Sequence, residues 1–340
     1  MKLRLAVGFS LSATLLILLA APPTANTADP VRVIFDTDMG NDIDDALALA
    51  MLHAFETRGE VKVLAVTVTK DNRWAAAYIN LVNTFYGRPD IPVGVVKDGK
   101  TPEDSAMIRG PAEMKRNDGT PVYPHHLVDG SQAPEATGLL RRILSAEKDS
   151  AVTIVQVGFS TNLARLLASG PDRISPRSGR ELVGRKVRLL TIMAGNFDDG
   201  KPEFNVKTDL PAAQKLFSDW PTPIIVSGFE IGDSILYPAR SIEDDFRYVE
   251  HHPIADAYRA YMKMPYDRPT WDLTAVLQAV RPDRGYFSLS APGRITVSPD
   301  GNTIFASSNE GKHRYLMVDG RQRTRILEAF LYLVTQPPVK

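Results

Sequence analysis

The chain has 340 residues, with 40 basic and 40 acidic side chains and no cysteine. Balanced charge excludes a broad electrostatic attraction to nucleic acid or to an anionic membrane surface. The absence of cysteine excludes a disulfide framework. A hydrophobic content of 44% allows a sizeable core, and the length is enough for one large α/β domain or two small ones.

The first 28 residues have the pattern of a secretory signal peptide. Lys2 and Arg4 form a positive start, Leu5–Ala21 is apolar without a charge, and small residues follow. A membrane anchor is the alternative, but the apolar run is at the lower limit for spanning and no stop-transfer charges follow it. We therefore expect a periplasmic or extracellular protein with a single domain over residues 29–340 and no membrane attachment after cleavage.

Short apolar runs alternate with helical patterns along the rest of the chain, which predicts an α/β fold with an open, mainly parallel, Rossmann-related sheet flanked by helices. Residues 286–320 alternate like antiparallel strands and predict a small appended hairpin near the C-terminus, and Asp98–Gln132 is expected to be a long loop. The predicted strands are Val31–Phe35, Val61–Val68, Ile91–Val96, Val152–Val157, Val187–Met193 and Pro223–Val226. The predicted helices are Asp44–Phe55, Trp74–Phe85, Ala136–Ser145, Thr161–Ala168, Leu210–Phe217, Asp244–Met262, Trp271–Val280 and Gln322–Thr335.

The segment Val33–Leu49 carries the strongest chemical signal, because many acidic and amide side chains follow one short buried strand and precede a helix. Aspartates at a helix N-terminus are ordinary caps, which could explain two or three of them. The remainder would repel one another unless a cation lay among them, and a hard divalent cation with oxygen ligands is the simplest answer. The side chains concerned are Asp36, Asp38, Asn41, Asp42, Asp44 and Asp45.

Three further motifs follow in order along the chain. They are Val157-Gly-Phe-Ser-Thr-Asn-Leu-Ala164, then Ala194-Gly-Asn196 with Pro202-Glu-Phe-Asn205 and Asp209, and finally Tyr266-Asp-Arg-Pro-Thr-Trp-Asp-Leu-Thr-Ala275. The first two place amide or carboxylate side chains after an apolar run, and the last places Trp271 and Asp272 at the start of an apolar helix. Amides and carboxylates can read the donor and acceptor pattern of sugar hydroxyl groups.

These four motifs resemble those of the nucleoside hydrolases, the inosine–uridine preferring family, whose first signature is D-T/C-D-P-G-x-D-D-A. Met39 stands here in place of the usual proline, and two extra residues separate Gly40 from the pair Asp44–Asp45. The resemblance spans most of residues 31–285. It implies calcium-dependent hydrolysis of the N-glycosidic bond of a small-molecule nucleoside, in an enzyme that is commonly a dimer or tetramer.

The resemblance also implies roles for particular residues. Asp38 would be both the general base and a calcium ligand. The other implied calcium ligands are Asp45, the main-chain carbonyl of Thr161, and Asp272. The implied substrate-binding residues are Asp44, Asn196, Glu203 and Asn205, together with Asn72, which follows the second predicted strand.

Trp271 stands where pyrimidine-handling members of the family carry a leaving-group histidine, and purine-preferring members also carry tryptophan there. An indole can stack on a purine and favour its departure, so we expect Trp271 to bind the base and to assist catalysis. Core packing at the start of an apolar helix is the alternative. His125 and His126, in the predicted loop, could contact substrate or act as an acid, although histidines in loops are usually solvated.

Three alternatives to a ribonucleoside hydrolase stay open. Haloacid dehalogenase-like phosphatases also place D-x-D after a first strand, but Gly40 stands where their pattern needs Thr or Val. A secreted, non-catalytic binder of calcium and a ribosyl ligand would fit the departures from the family motifs. The third alternative is a hydrolase of another ribosyl compound, and an aromatic clamp formed by the long loop with Trp271 would instead indicate a base.

Overall fold

The structure, a computed structural model, describes residues 29–339, and the predicted signal peptide lies outside the described residues. Within this range no helix is long and apolar enough to cross a bilayer. The strands are β1 (Val31–Thr37), β2 (Val61–Lys70), β3 (Val93–Lys100), β4 (Val152–Gln156), β5 (Val187–Met193), β6 (Ile224–Ser227), β7 (Leu236–Tyr237), β8 (Arg268–Pro269), β9 (Ser288–Leu289), β10 (Gly293–Val297), β11 (Thr303–Ser307) and β12 (His313–Met317).

Helices of very different lengths connect these strands. They are α1 (Asp44–Thr57), α2 (Arg73–Phe85), α3 (Ala106–Glu113), α4 (Ala136–Ala146), α5 (Thr161–Ala168), α6 (Gly179–Lys186), α7 (Phe204–Thr208), α8 (Leu210–Asp219), α9 (Phe229–Asp233), α10 (Ala239–Asp244), α11 (Pro253–Tyr261), α12 (Trp271–Val280) and α13 (Gly320–Val334). Two 3-10 turns, Gly130–Gln132 and Pro282–Arg284, complete the set.

The main sheet has ten strands in the order β11-β10-β12-β6-β5-β4-β1-β2-β3, with β9 beside β12. All strand pairs from β12 to β3 along this order are parallel. The chain builds outward from β1 through β2 to β3, then returns to place β4 on the other side of β1. This reversal puts a topological switch point between β1 and β4, and ligands of open α/β sheets bind beyond the carboxyl ends of the strands at such a point.

The predicted mainly parallel sheet is confirmed, and all six predicted strands are present within a few residues of their expected bounds. The hairpin of β10 and β11 is also present, but it extends the main sheet through β12 instead of standing apart. The expected loop Asp98–Gln132 contains α3. The single helix predicted over Asp244–Met262 is wrong, because α10 ends at Asp244 and Pro253, which has no amide hydrogen, begins a new helix.

Helices cover both faces of the sheet and form two buried clusters. One cluster joins α1, α2, α11, α12 and α13 to one face, and the other joins α4, α5 and α8 to the opposite face. The helix α1 is buried from Asp44 to Phe55, because α12 and α13 both pack against it. The first turns of α1 and α12 are thereby fixed at the carboxyl edge of the sheet.

Because two histidines are buried, we expect the protein to lose stability in acid. Burial lowers the pKa of both His53 and His252 to about 3, whereas an exposed histidine in the unfolded chain titrates near 6.5. The folded state therefore binds fewer protons between these values, and stability falls as pH falls through 6.5. Between pH 6.5 and 5 each histidine should cost about 2 kcal/mol of unfolding free energy.

The substitution His252→Asn isolates this effect. His252 caps α11 by accepting the Ile254 amide at Nδ1, and asparagine is also a good cap. We expect the variant to lose about 2 kcal/mol less than the wild type between pH 6.5 and 5, measured by urea unfolding. An unchanged pH slope would contradict this assignment.

Candidate active site

A cavity of about 330 Å³ opens at the carboxyl ends of β1, β4 and β5, at the switch point of the sheet. It is lined by oxygen-bearing side chains together with a group of aromatic ones. The lining residues are Asp38, Asn41, Asp42, Asp44, Asp45, Val157, Met193, Glu203, Phe204, Asn205, Phe229, Tyr261, Arg268, Trp271 and Asp272. Seven of the ten predicted site residues are among them: Asp38, Asp44, Asp45, Glu203, Asn205, Trp271 and Asp272.

Three carboxylates from two helix N-termini meet at one point of the cavity. Asp44 and Asp45 lie in the first turn of α1, and Asp272 lies in the first turn of α12. One oxygen from each lies within 4.8 Å of the others, and all three residues are buried. The partial positive charge of the two helix ends offsets part of their repulsion.

The electrostatics of this cluster favour a bound cation. Burial, followed by the neighbouring carboxylates, raises the pKa of Asp44, Asp45 and Asp272 well above the usual range. Without a cation, three carboxylates in such a place resist ionisation. A divalent ion with oxygen ligands would let all three ionise together, so the residues present fit the predicted metal.

Asp38 lies in the turn that follows β1 and lines the same cavity, and its charge contributes to the raised pKa of Asp45. Gly40 makes the turn with a φ of +110°, which an L side chain rarely adopts. The Asn41 amide donates to Asp38 Oδ2 at 2.8 Å and accepts from Lys70 Nζ at 2.9 Å. Burial raises the pKa of Asp38 to about 6, and the negative charge of Asp42 contributes to this shift.

Glu203 and Asn205 lie on a different wall of the cavity. Glu203 is the N-cap of the short helix α7 and accepts the backbone amides of Asn205 and Val206. From the sequence, we expected these two side chains to share a face only if the segment were extended. The segment is helical, and both side chains still line the cavity. The Asn205 amide donates to the Val157 carbonyl at 2.8 Å.

Trp271 stands at the aromatic end of the cavity. Its indole N–H donates to the Phe229 carbonyl at 3.0 Å, and its ring stacks on the Phe229 ring with a centroid distance of 5.4 Å. The indole is therefore fixed in orientation and its only hydrogen-bond donor is already used. Trp271 is placed to contact a flat ligand. No residue of the 98–132 loop lines the cavity, so the aromatic clamp between that loop and Trp271 that would indicate a base is not seen among the described residues.

Three predicted residues do not line the cavity. Asn72 caps α2 through the Trp74 amide and donates to the Pro102 carbonyl. Asn196 bonds to Asp199 and caps the turn that leads to it.

Thr161 begins α5, and its hydroxyl donates to Asp209. Val157, at the end of β4, lines the cavity instead and directs a carbonyl toward the Asn205 amide. Because a carbonyl has two lone pairs, Val157 is a better candidate than Thr161 for a main-chain metal ligand. Gly158 allows the backbone after β4 to lie close to Asp38, since a Cβ at residue 158 would lie 2.5 Å from the Asp38 nitrogen.

Several residues that line the cavity were not predicted from the sequence or had no predicted role. Asp42, whose role was open, pairs with Arg268 through two hydrogen bonds. Phe229 and Tyr261 add aromatic rings near Trp271. The alternation of short strands and helices gave no sign of these residues, because they come from α9, the end of α11 and β8, which only the folded chain brings together.

Known proteins share this sequence pattern. The family model described as inosine-uridine preferring nucleoside hydrolase matches residues 33–328. The pyrimidine-specific ribonucleoside hydrolase RihA of Klebsiella pneumoniae subsp. pneumoniae is 29% identical over 215 residues, which cover 58% of this chain and 60% of that protein. The chain thus spans less than two thirds of the length of this curated relative.

Solved structures share the fold. An inosine-uridine preferring nucleoside hydrolase from Bacillus anthracis superposes with a TM-score of 0.67 at 17% identity, covering 89% of this chain and 99% of that one. A purine-preferring ribonucleoside hydrolase from Gardnerella vaginalis gives a TM-score of 0.65 at 18% identity, covering 89% of this chain and 98% of that one. At these identities the likeness establishes the architecture alone.

Proposed function

Because the chain belongs to the inosine-uridine preferring nucleoside hydrolase family over residues 33–328, we propose that it hydrolyses the N-glycosidic bond of ribonucleosides. The proposed reaction is calcium-dependent, prefers purine nucleosides, and releases the free base and ribose. The names of its relatives include both pyrimidine-specific and purine-preferring enzymes, so the base preference rests on this chain's own residues.

The groups that line the cavity are the main support for the proposal. The cavity brings together a cluster of buried carboxylates suited to a metal, a carboxylate and an amide suited to ribose hydroxyls, and an aromatic end suited to a base. The family resemblance assigns Asp44 and Asn205 to the 2′- and 3′-hydroxyls. The main-chain carbonyl of Val157 is proposed to join Asp38, Asp45 and Asp272 as a metal ligand.

N-glycosidic cleavage needs an activated water, a stabilised cationic sugar and a leaving base, as glycoside hydrolysis does with its own leaving group. When bound, calcium supplies a held and polarised water. Asp38 takes the proton of the water, because its carboxylate lines the cavity and its oxygen is oriented by Asn41. The anionic cluster around Asp44 and Asp45 stabilises positive charge that develops on the sugar.

Ribose release from inosine, adenosine, guanosine, uridine and cytidine tests the proposal, with calcium present and after chelation. We expect calcium-dependent release that favours the purine nucleosides. No release from any nucleoside, with calcium still bound, would contradict the proposal and favour a binding protein or another ribosyl substrate.

Replacing Trp271 by alanine tests the purine preference. We expect purine nucleoside turnover to fall by roughly tenfold, since a stacked aromatic contact contributes about 0.5–1.5 kcal/mol beyond area burial. Binding of a ribose analogue without a base should change little. Trp74→Ala is the matched control, because Trp74 packs against Arg73 outside the cavity. Equal losses of turnover and of analogue binding would instead indicate a packing role for Trp271.

We also propose that the protein is exported, that residues 29–340 form its single catalytic domain, and that it assembles into a dimer or tetramer. The N-terminal residue of the mature protein and the mass of the assembly in solution are the measurements that test these points. A retained N-terminus or a monomer would contradict the respective proposal.

A further inference from the structure

A guanidinium group lies at the aromatic end of the cavity. Arg268 Cζ is 5.2 Å from the centre of the Trp271 ring and 5.3 Å from that of Tyr261. Its side chain is 23% exposed, so the charge is largely withdrawn from water. No other cationic side chain lines this cavity within the described part of the chain.

Asp42 fixes the orientation of this guanidinium. Nε donates to Asp42 Oδ1 at 2.9 Å, and Nη2 donates to Asp42 Oδ2 and, at 3.3 Å, to the Tyr261 hydroxyl. Over residues 29–339 the two N–H groups of Nη1 donate to no acceptor. The Nε and Nη2 edge of the guanidinium is therefore neutralised by the Asp42 carboxylate, while the two N–H groups of Nη1 are free to donate to a ligand.

Asp42 belongs to the stretch that is two residues longer here than in the family signature. Asn41, in the same stretch, bonds to Asp38. The longer turn thus reaches both the proposed general base and the group that orients Arg268. This pairing explains a departure from the family motif that the sequence alone left without a role.

The departing base must be protonated or otherwise stabilised, and Trp271 does not act as the acid. Its indole N–H is donated to the Phe229 carbonyl. Burial raises the pKa of Tyr261 above its usual value, which disfavours proton transfer from its hydroxyl. Arg268 also lines this end of the cavity, and hydrogen bonding from a permanent cation stabilises negative charge on a departing base.

We propose that Arg268, oriented by Asp42, binds the departing base as an anion through its free Nη1 donors and thereby selects bases that present a carbonyl oxygen. This inference deepens the proposed function and rests on it. In the reaction the C1′–N bond breaks with its electron pair going to the base, and the water oxygen bonds to C1′. The water proton goes to Asp38, the guanidinium keeps its own protons, and the base takes a proton from solvent.

The test compares leaving groups in the Arg268→Gln variant. Inosine has a poor leaving group with a carbonyl oxygen, whereas p-nitrophenyl riboside releases a phenolate that departs without help. We expect kcat/KM for inosine to fall at least ten times more than kcat/KM for p-nitrophenyl riboside. Adenosine, which presents an amino group in place of the carbonyl, should lose less than inosine. Arg268→Lys, which keeps the charge, should recover part of the inosine activity.

Arg281→Gln is the matched control. Arg281 makes a two-point pair with Glu60 and lies 4.9 Å from the Phe55 ring centre, with a side-chain exposure of 16%. It does not line the cavity, so the ratio of the two substrates should not change. Equal losses on both substrates in folded Arg268→Gln protein would overturn the inference and indicate a packing role. A wild-type protein inactive on all nucleosides would overturn the proposed function itself.

Discussion

Asp38→Asn is expected to abolish nucleoside hydrolysis, with kcat falling by roughly 10³-fold, and to weaken calcium binding. General base catalysis contributes on the order of 10²–10⁴-fold, and the same carboxylate is a proposed metal ligand. Asparagine has nearly the same shape but takes no proton at neutral pH. Ribose release under saturating inosine and calcium titration by calorimetry measure the two effects.

Asp71→Asn is the control for this substitution. Asp71 follows β2 at the same edge of the sheet, but its carboxylate accepts the Gly99 amide at 2.8 Å and does not line the cavity. We expect this variant to keep wild-type turnover. Near-normal hydrolysis by Asp38→Asn would show that the base is another group, whatever its effect on calcium.

Calcium should stabilise the wild-type protein, and Asp272→Asn should remove that response. Calcium at a hundred times its Kd adds about 2.7 kcal/mol, which corresponds to a rise in Tm of roughly 4 °C for a chain of this size. In the variant the cluster loses one of its three charges. Because the remaining carboxylates repel each other less, we expect the calcium-free variant to be at least as stable as the calcium-free wild type.

Thermal unfolding with calcium and with chelator distinguishes these outcomes. Asp267→Asn serves as the control, since Asp267 accepts the Ala239 amide at 2.8 Å outside the cavity, and it should keep the wild-type calcium response. If calcium raised the Tm of Asp272→Asn as much as that of the wild type, the metal would bind elsewhere. The measurement does not depend on finding the right nucleoside, so it tests the metal site separately from the reaction.

The parallel sheet, and the position of the aspartate motif at its carboxyl edge, could both be predicted without the structure. Asp272 was grouped with the other acids through the family resemblance, whereas Asp38 and Asp45 could be grouped from their positions alone, because side chains that follow the strands of a parallel sheet meet at its carboxyl edge. Glu203 and Asn205 joined them for the same reason, although their local conformation is helical and not extended. The regular order of strands and helices determined this part of the site.

Asn72 and Asn196 were predicted as binding residues in the same way, but they do not line this cavity. Both follow strands, as the binding residues do, but each side chain bonds to nearby backbone or loop groups instead of the cavity. Amide side chains satisfy local backbone groups as readily as ligands, and the sequence does not record which partner is nearer. The sequence also does not distinguish Val157 from Thr161, whereas in the structure Val157 lines the cavity and Thr161 does not.

The fold class, the aspartates between β1 and α1, and the expectation of a divalent cation all follow from the sequence. These depend on local spacing and on the geometry that all parallel sheets share. The aromatic end of the cavity, where Phe229, Tyr261 and Arg268 meet Trp271, becomes apparent only in the folded chain. These residues come from short elements whose meeting depends on how α11 and α12 pack around α1, and side-chain packing over such distances leaves no periodic pattern in the sequence.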